Sequence, residues 1–98
     1  MDTNTRWPDE DAYWRTNYRT RPYASSARRD YDYYEPGYRY GFEAANRYHD
    51  RSWSDVERDL AREWNTYQYR GSSTWEQIKD AVRDAWDRVT LNRPVVTK

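Results

Sequence analysis

The 98-residue chain has no cysteine, three glycines, one methionine and one phenylalanine. Without cysteine, a disulfide scaffold, a zinc knuckle and a thiol nucleophile are all excluded. Valine, isoleucine and leucine are sparse, and a mean hydropathy of −1.51 leaves little material for a conventional aliphatic core. No apolar run approaches the ~20 residues of a membrane span. Met1 to Trp14 has neither the basic start nor the apolar stretch of a secretory signal, so the expected location is the cytoplasm, with no membrane partner. Net charge is zero, from 17 basic and 17 acidic residues, so no overall field draws in nucleic acid or an anionic surface. Lysine is scarce as well. Apart from Lys79 and Lys98 every basic residue is arginine, the cation that stacks on rings and forks onto carboxylates.

Aromatic side chains take the place of the missing aliphatics, with six Trp and eleven Tyr. Their spacing carries the main architectural signal. Trp53, Val56, Leu60, Trp64 and Tyr67 are answered 22 residues later by Trp75, Ile78, Val82, Trp86 and Val89. At about 100° per residue either set falls within an arc of roughly 80°, which is the apolar stripe of an amphipathic helix and not a face of a strand. The spacing predicts an antiparallel helical hairpin over about 53–69 and 74–90. With Leu60 opposite Val82, the other pairs become Trp53 with Val89, Val56 with Trp86, Trp64 with Ile78, and Tyr67 with Trp75. Bulk alternates across that interface so that layers interdigitate. In the same register Arg58 lies beside Asp84 and Arg62 beside Asp80. Ser52 or Ser54 caps the first helix, Ser73 with Glu76 forms a capping box for the second, Gly71 stops the first and Pro94 ends the second. Burial by this hairpin alone falls short of the entropy cost of ordering it, so further contacts must come from the rest of the chain or from another molecule.

Ahead of the hairpin, Pro8 followed by three acids starts a short helix to about Asn17. The stretch from Tyr18 to Tyr34 has Pro22, a Ser25–Ser26 step and no helical period, and reads as extended or irregular. Pro36 restarts a helix over about 36–48, lined by Tyr38, Phe42 and Ala45. Gly41 within it costs about 1 kcal/mol relative to Ala, a sign of close approach by another backbone or ring. The expected organisation is all-α: an Arg/Tyr-rich arm over 1–34, a small helical domain over 35–92 and a tail over 93–98.

The strings YRYGFEAANRY (Tyr38 to Tyr48), WSDVERDLAREW (Trp53 to Trp64) and STWEQIKDAVRDAWDRV (Ser73 to Val89) resemble a module of small bacterial stress-associated proteins. In relatives a similar module accompanies the bacterial general stress protein domain. The resemblance covers about two thirds of the chain and implies a bacterial, cytoplasmic, stress-linked protein. It brings no active site to carry over.

Residue chemistry points the same way. Trp at helical period is far more often core than a ligand cage. His49, the only histidine, has Asp50 beside it but no second ligand at i+3 or i+4, so neither a metal nor another cofactor is expected. No phosphate loop, nucleophile elbow or HExxH string is present, and the chain reads as non-catalytic, without a small-molecule substrate. Ala12 to Arg29 holds five arginines and no acid, interleaved with Tyr13, Trp14, Tyr18 and Tyr23. Such an arm stacks on bases and contacts phosphates, or adheres to protein. Protein contact weighs more, because the net charge is zero and an acidic aromatic block from Asp30 to Glu35 follows directly. The expected function is structural, with self-assembly into an oligomer or filament through Trp7, Tyr13, Trp14, Arg15, Tyr18, Arg19, Arg21 and Tyr23. A nucleic-acid-binding stress protein using 12–29, or an adaptor for another stress protein, is the alternative.

Overall fold

A computed structural model describes residues 6–27, 29–48, 50–71 and 73–92, with the side chains of 25–27 and 91–92 left aside. Its elements are α1 (Trp7–Asn17), a 3-10 turn (Tyr18–Thr20), α2 (Pro22–Ala27), α3 (Tyr31–Arg47), α4 (Trp53–Trp64) and α5 (Trp75–Asn92). The fold is all-α, with no strand among the described residues.

The axis of the structure is the packing of α3 on α5. Gly37, Gly41 and Ala45 recur every fourth residue on α3, and Ala81 and Ala85 do so on α5; all five are buried. A Cβ built on Gly41 would sit 2.9 Å from the Val82 carbonyl carbon and 3.0 Å from Ala85 Cβ, so the two backbones meet here without intervening side chains. The close approach expected from Gly41 is therefore made by the second hairpin helix.

Both hairpin stripes lie in the core. Val56, Leu60, Trp64, Ile78, Val82 and Trp86 are buried, while Trp53, Tyr67, Trp75 and Val89 are half-buried against them. What differs is the partner, because α3 shares the surface that the pattern assigns to a two-helix interface. Tyr40 of α3 sets its ring 5.1 Å from Trp64 and 4.6 Å from Tyr67, and its hydroxyl donates to the Leu60 carbonyl at 2.7 Å. Trp53, paired with Val89 by the pattern, meets Trp86 at 5.8 Å and Trp75 at 6.4 Å between ring centroids. The charge markers also resolve otherwise: Asp84 is taken by Arg21, and Arg62 pairs with Asp59 one turn away. Surface pairs of this kind are worth ~0–1 kcal/mol, too little to set a register against three-helix packing.

Element ends follow local chemistry. Ser52 caps α4 by accepting from the Asp55 amide, as expected. For α5 the box moves one residue on: Gln77 donates its amide to Thr74 Oγ1 and accepts from the Thr74 amide through Oε1. Ser73 is thereby left buried, its carbonyl accepting from Trp64 Nε1 at 3.0 Å. Helix α4 stops at Trp64, well before Gly71, where Asn65 and Thr66 are poor helix formers and the chain turns. Tyr67 leaves the helix yet keeps its place against Tyr40, and its hydroxyl donates to Glu43 at 2.9 Å.

The larger departure is at the N-terminal side. Helix α3 begins at Tyr31, five residues before Pro36, which sits buried inside it. An internal proline removes one helical hydrogen bond. Here the added turn is held by Tyr31, Tyr34 and Tyr38, whose rings pack on one another and on Tyr18. The expected irregular stretch from 18 to 34 is thus a 3-10 turn, a short helix and the first turn of α3. A division after residue 34 falls within that helix. His49 and the 93–98 tail lie outside the described residues.

Candidate functional site

The expected adhesive residues sit on one structural unit, the arm formed by α1, the 3-10 turn and α2. Its α1 and 3-10 turn run antiparallel along α3, with Trp7 against Phe42, Trp14 against Tyr38 and Tyr18 against Tyr31 and Tyr34, and α2 then sets Tyr23 beside Tyr34 and Tyr38. The rings expected to need a neighbour's surface are covered within their own chain. Trp14 is 4% exposed and stacks flat on Tyr38, with centroids 4.4 Å apart and planes 4° from parallel. Tyr18 is buried, while Trp7, Tyr13 and Tyr23 are half-buried. The physical reason is the extra turn of α3, which brings Tyr31, Tyr34 and Tyr38 onto one side as a seat for them.

Polar anchors fix the arm at both ends. Arg21 forks onto Asp84 of α5 at 2.7 and 3.1 Å. The Tyr23 hydroxyl donates to the same carboxylate at 2.5 Å and lies 2.8 Å from the Tyr38 hydroxyl. At the other end Arg88 of α5 donates to Glu10 at 2.9 Å and lies 3.4 Å over the Tyr13 ring. Glu10 is only 3% exposed, so Arg88 is the compensation that lets its carboxylate leave water. Between them Tyr31 donates to Asp11 at 2.6 Å. Arg15, paired with Asp11, lies over the Tyr31 ring, and Arg19 covers Tyr18. An open groove of ≈ 570 Å³ runs beside the Arg21 anchor, bordered by Asp80, Arg83 and Asp87. Its charges are largely spent on one another, through Arg21–Asp84 and Arg83–Asp87.

Spacing along the chain does not reveal Asp84, Arg88 or Tyr38 as partners of the arm. They meet it across 63, 78 and 15 residues. Glu10 and Asp11 are legible only as acids of a first helical turn, and Asp84 only as an α5 charge set beside Arg58. Among the described residues no group of three His, Cys, Asp or Glu side chains is placed to hold a metal ion, and no helix is long and apolar enough to cross a membrane.

Burial raises the phenol pKa of Tyr23, Tyr31, Tyr38, Tyr40 and Tyr67 well above the ordinary tyrosine value; carboxylate partners reinforce it at Tyr23, Tyr31 and Tyr67. In the unfolded chain these phenols ionise near pH 10, so the stability they contribute is fully present below that pH. It is lost as pH rises further, because the unfolded state releases protons that the folded state retains. Helix loss above about pH 10 should therefore coincide with a steep rise in tyrosinate absorbance. Smooth titration of every tyrosine with the helices intact would show that these phenols are open to solvent.

Compared with known proteins the chain finds no match, whether among family models, curated proteins or solved structures.

Proposed function

We propose that the chain is a non-catalytic structural protein that self-assembles into an oligomer or filament, in the manner of a bacterial stress-associated protein. The observation that carries this reading is the seating of guanidiniums on rings at the surface of a molecule of zero net charge. Arg29 lies 4.2 Å over Tyr33, Arg39 4.1 Å over Tyr69 and Arg47 4.8 Å over Tyr48. A ring covers one face of a guanidinium and the other can take a second ring or a carboxylate, as Arg39 does within the chain by lying 6.0 Å from Trp7 as well. Carboxylates stand nearby, with Glu43 beside Arg39 and Glu63 beside Arg47. Copies of a neutral chain do not repel one another, and many weak, complementary contacts then add. The nucleic-acid alternative is less well supported, since Tyr18 and Tyr31 are buried and Asp30 and Asp32 share the surface with Arg15 and Arg19.

Sedimentation across a concentration series tests this. Mass should rise with concentration, fall with salt and be indifferent to nuclease. The triple variant Arg29→Lys, Arg39→Lys, Arg47→Lys keeps every charge but weakens stacking, and should move assembly to a concentration on the order of tenfold higher. A single mass at every concentration, or an assembly that nuclease dissolves, would overturn the proposal.

A further inference from the structure

We infer that the unit of assembly is built by exchange of the arm, residues 7–27 of one copy lying on α3 and α5 of another. The inference rests on the self-assembly reading and names its contact surface. Exposed guanidiniums attract copies but define no shape, and among the described residues Tyr69, at 45%, is the large apolar side chain left exposed. The surface that the closed chain already covers is the one that offers shape as well as charge. The seat beneath the arm has the required properties: a flat ring in Tyr38, a carboxylate in Asp84 and a guanidinium in Arg88, each with its counterpart on the arm.

Three features allow the exchange. The body partners named for the two anchors and the Trp14 stack lie on α3 and α5, beyond the link between Ala27 and Tyr31, so a second copy supplies the same atoms without new chemistry. The α3–α5 crossing at Gly41, Val82 and Ala85 is made without arm residues, so the seat persists when the arm leaves. Only three residues separate α2 from α3, so an arm released from its own body leaves as one piece. The two anchors, Arg21–Asp84 and Arg88–Glu10, have opposite polarity, with the arm contributing the cation at one end and the anion at the other. An arm laid in reverse would set like charges together, so the anchors fix direction as well as position.

Charge-reversed chains test the exchange. Arg21→Asp and Asp84→Arg each set like charges at the anchor. Co-refolded from urea in equal amounts, the two variants can pair as an exchanged dimer in which one anchor is native and the other reversed, so both are satisfied. The mixture should sediment at twice the 12.1 kDa chain mass and recover a thermal midpoint on the order of 5 °C above either variant alone. A mixture that behaves as the sum of its parts overturns the exchange. The double variant carries the reversed pair within one chain and should regain most of the midpoint lost by either single variant, short of wild type by the Tyr23 donation to Asp84 that it lacks; a double variant no more stable than the singles removes the anchor and the inference with it. Wild-type protein run alongside separates the two readings. Wild-type assembly without rescue in the mixture overturns arm exchange alone, whereas a wild-type chain that stays at single mass, also without rescue, overturns both.

Discussion

Gly41→Ala should lower stability by about 3 kcal/mol, although alanine in a helix ordinarily gains about 1 kcal/mol over glycine. The sign is the informative part. Helix propensity acts through the backbone of α3 alone, whereas the added Cβ would be driven onto the Val82 carbonyl group of α5, with Ala85 Cβ alongside. A backbone carbonyl within a helix cannot rotate away, so α3 has to lift from α5 and open the packing on either side. Gly37→Ala should also destabilise but by less, because the added Cβ meets side-chain carbons of Ile78 and Ala81 rather than a backbone carbonyl, although buried, β-branched Ile78 has little freedom to turn away. Gly71→Ala should be close to neutral, since its Cβ would find Pro36 Cγ at an ordinary 3.5 Å. Thermal melts of the three variants check the order, with Gly41→Ala lowering the midpoint by on the order of 10 °C or more. A Gly41→Ala protein more stable than the wild type would mean that α3 and α5 do not meet at this point.

The contrast between Gly41 and the arm shows what was legible in the chain. A glycine inside a helical period is a local cost that demands a local reason, and close approach was the expected reason. The two stripes were legible because period 3.6 repeats within a short window, and all ten stripe residues are buried or half-buried. Their neighbours were not, because a stripe says which face is covered and not by what. Two matched stripes suggested a closed pair, whereas Tyr40 reaches the same surface from α3. Tyr31 and Tyr34 were hidden by Pro36, whose local veto on a helix is outweighed by ring packing that only the folded chain contains. For the arm, composition points to ring and guanidinium contacts but does not say with which residues they are made. Arg21 and Asp84 are 63 residues apart, and each has other opposite charges nearer in sequence.

Leu60→Asp should be the most damaging single substitution considered, costing roughly 4 kcal/mol or more, against a total of about 5–15 kcal/mol for a domain of ordinary stability. Leu60 is fully buried at the middle of the α4 stripe, between Val56 and Trp64, which are themselves 1% and 0% exposed. A carboxylate there either loses its hydration or is protonated, and both consume folding free energy. Glu57→Gln, on the same helix but away from the stripe, should change stability by less than about 0.5 kcal/mol. Either outcome is expected of any amphipathic helix, so a third variant identifies the neighbour. Tyr40→Phe removes only the hydroxyl that α3 donates to the Leu60 carbonyl, and should cost about 1 kcal/mol while leaving ring packing in place. In a two-helix interface without α3, Tyr40→Phe would be neutral. Denaturant titration of the three proteins distinguishes these cases, with Leu60→Asp unfolded or nearly so, Tyr40→Phe intermediate and Glu57→Gln indistinguishable from wild type. A neutral Tyr40→Phe beside a destructive Leu60→Asp would restore the simple hairpin and move α3 away from α4.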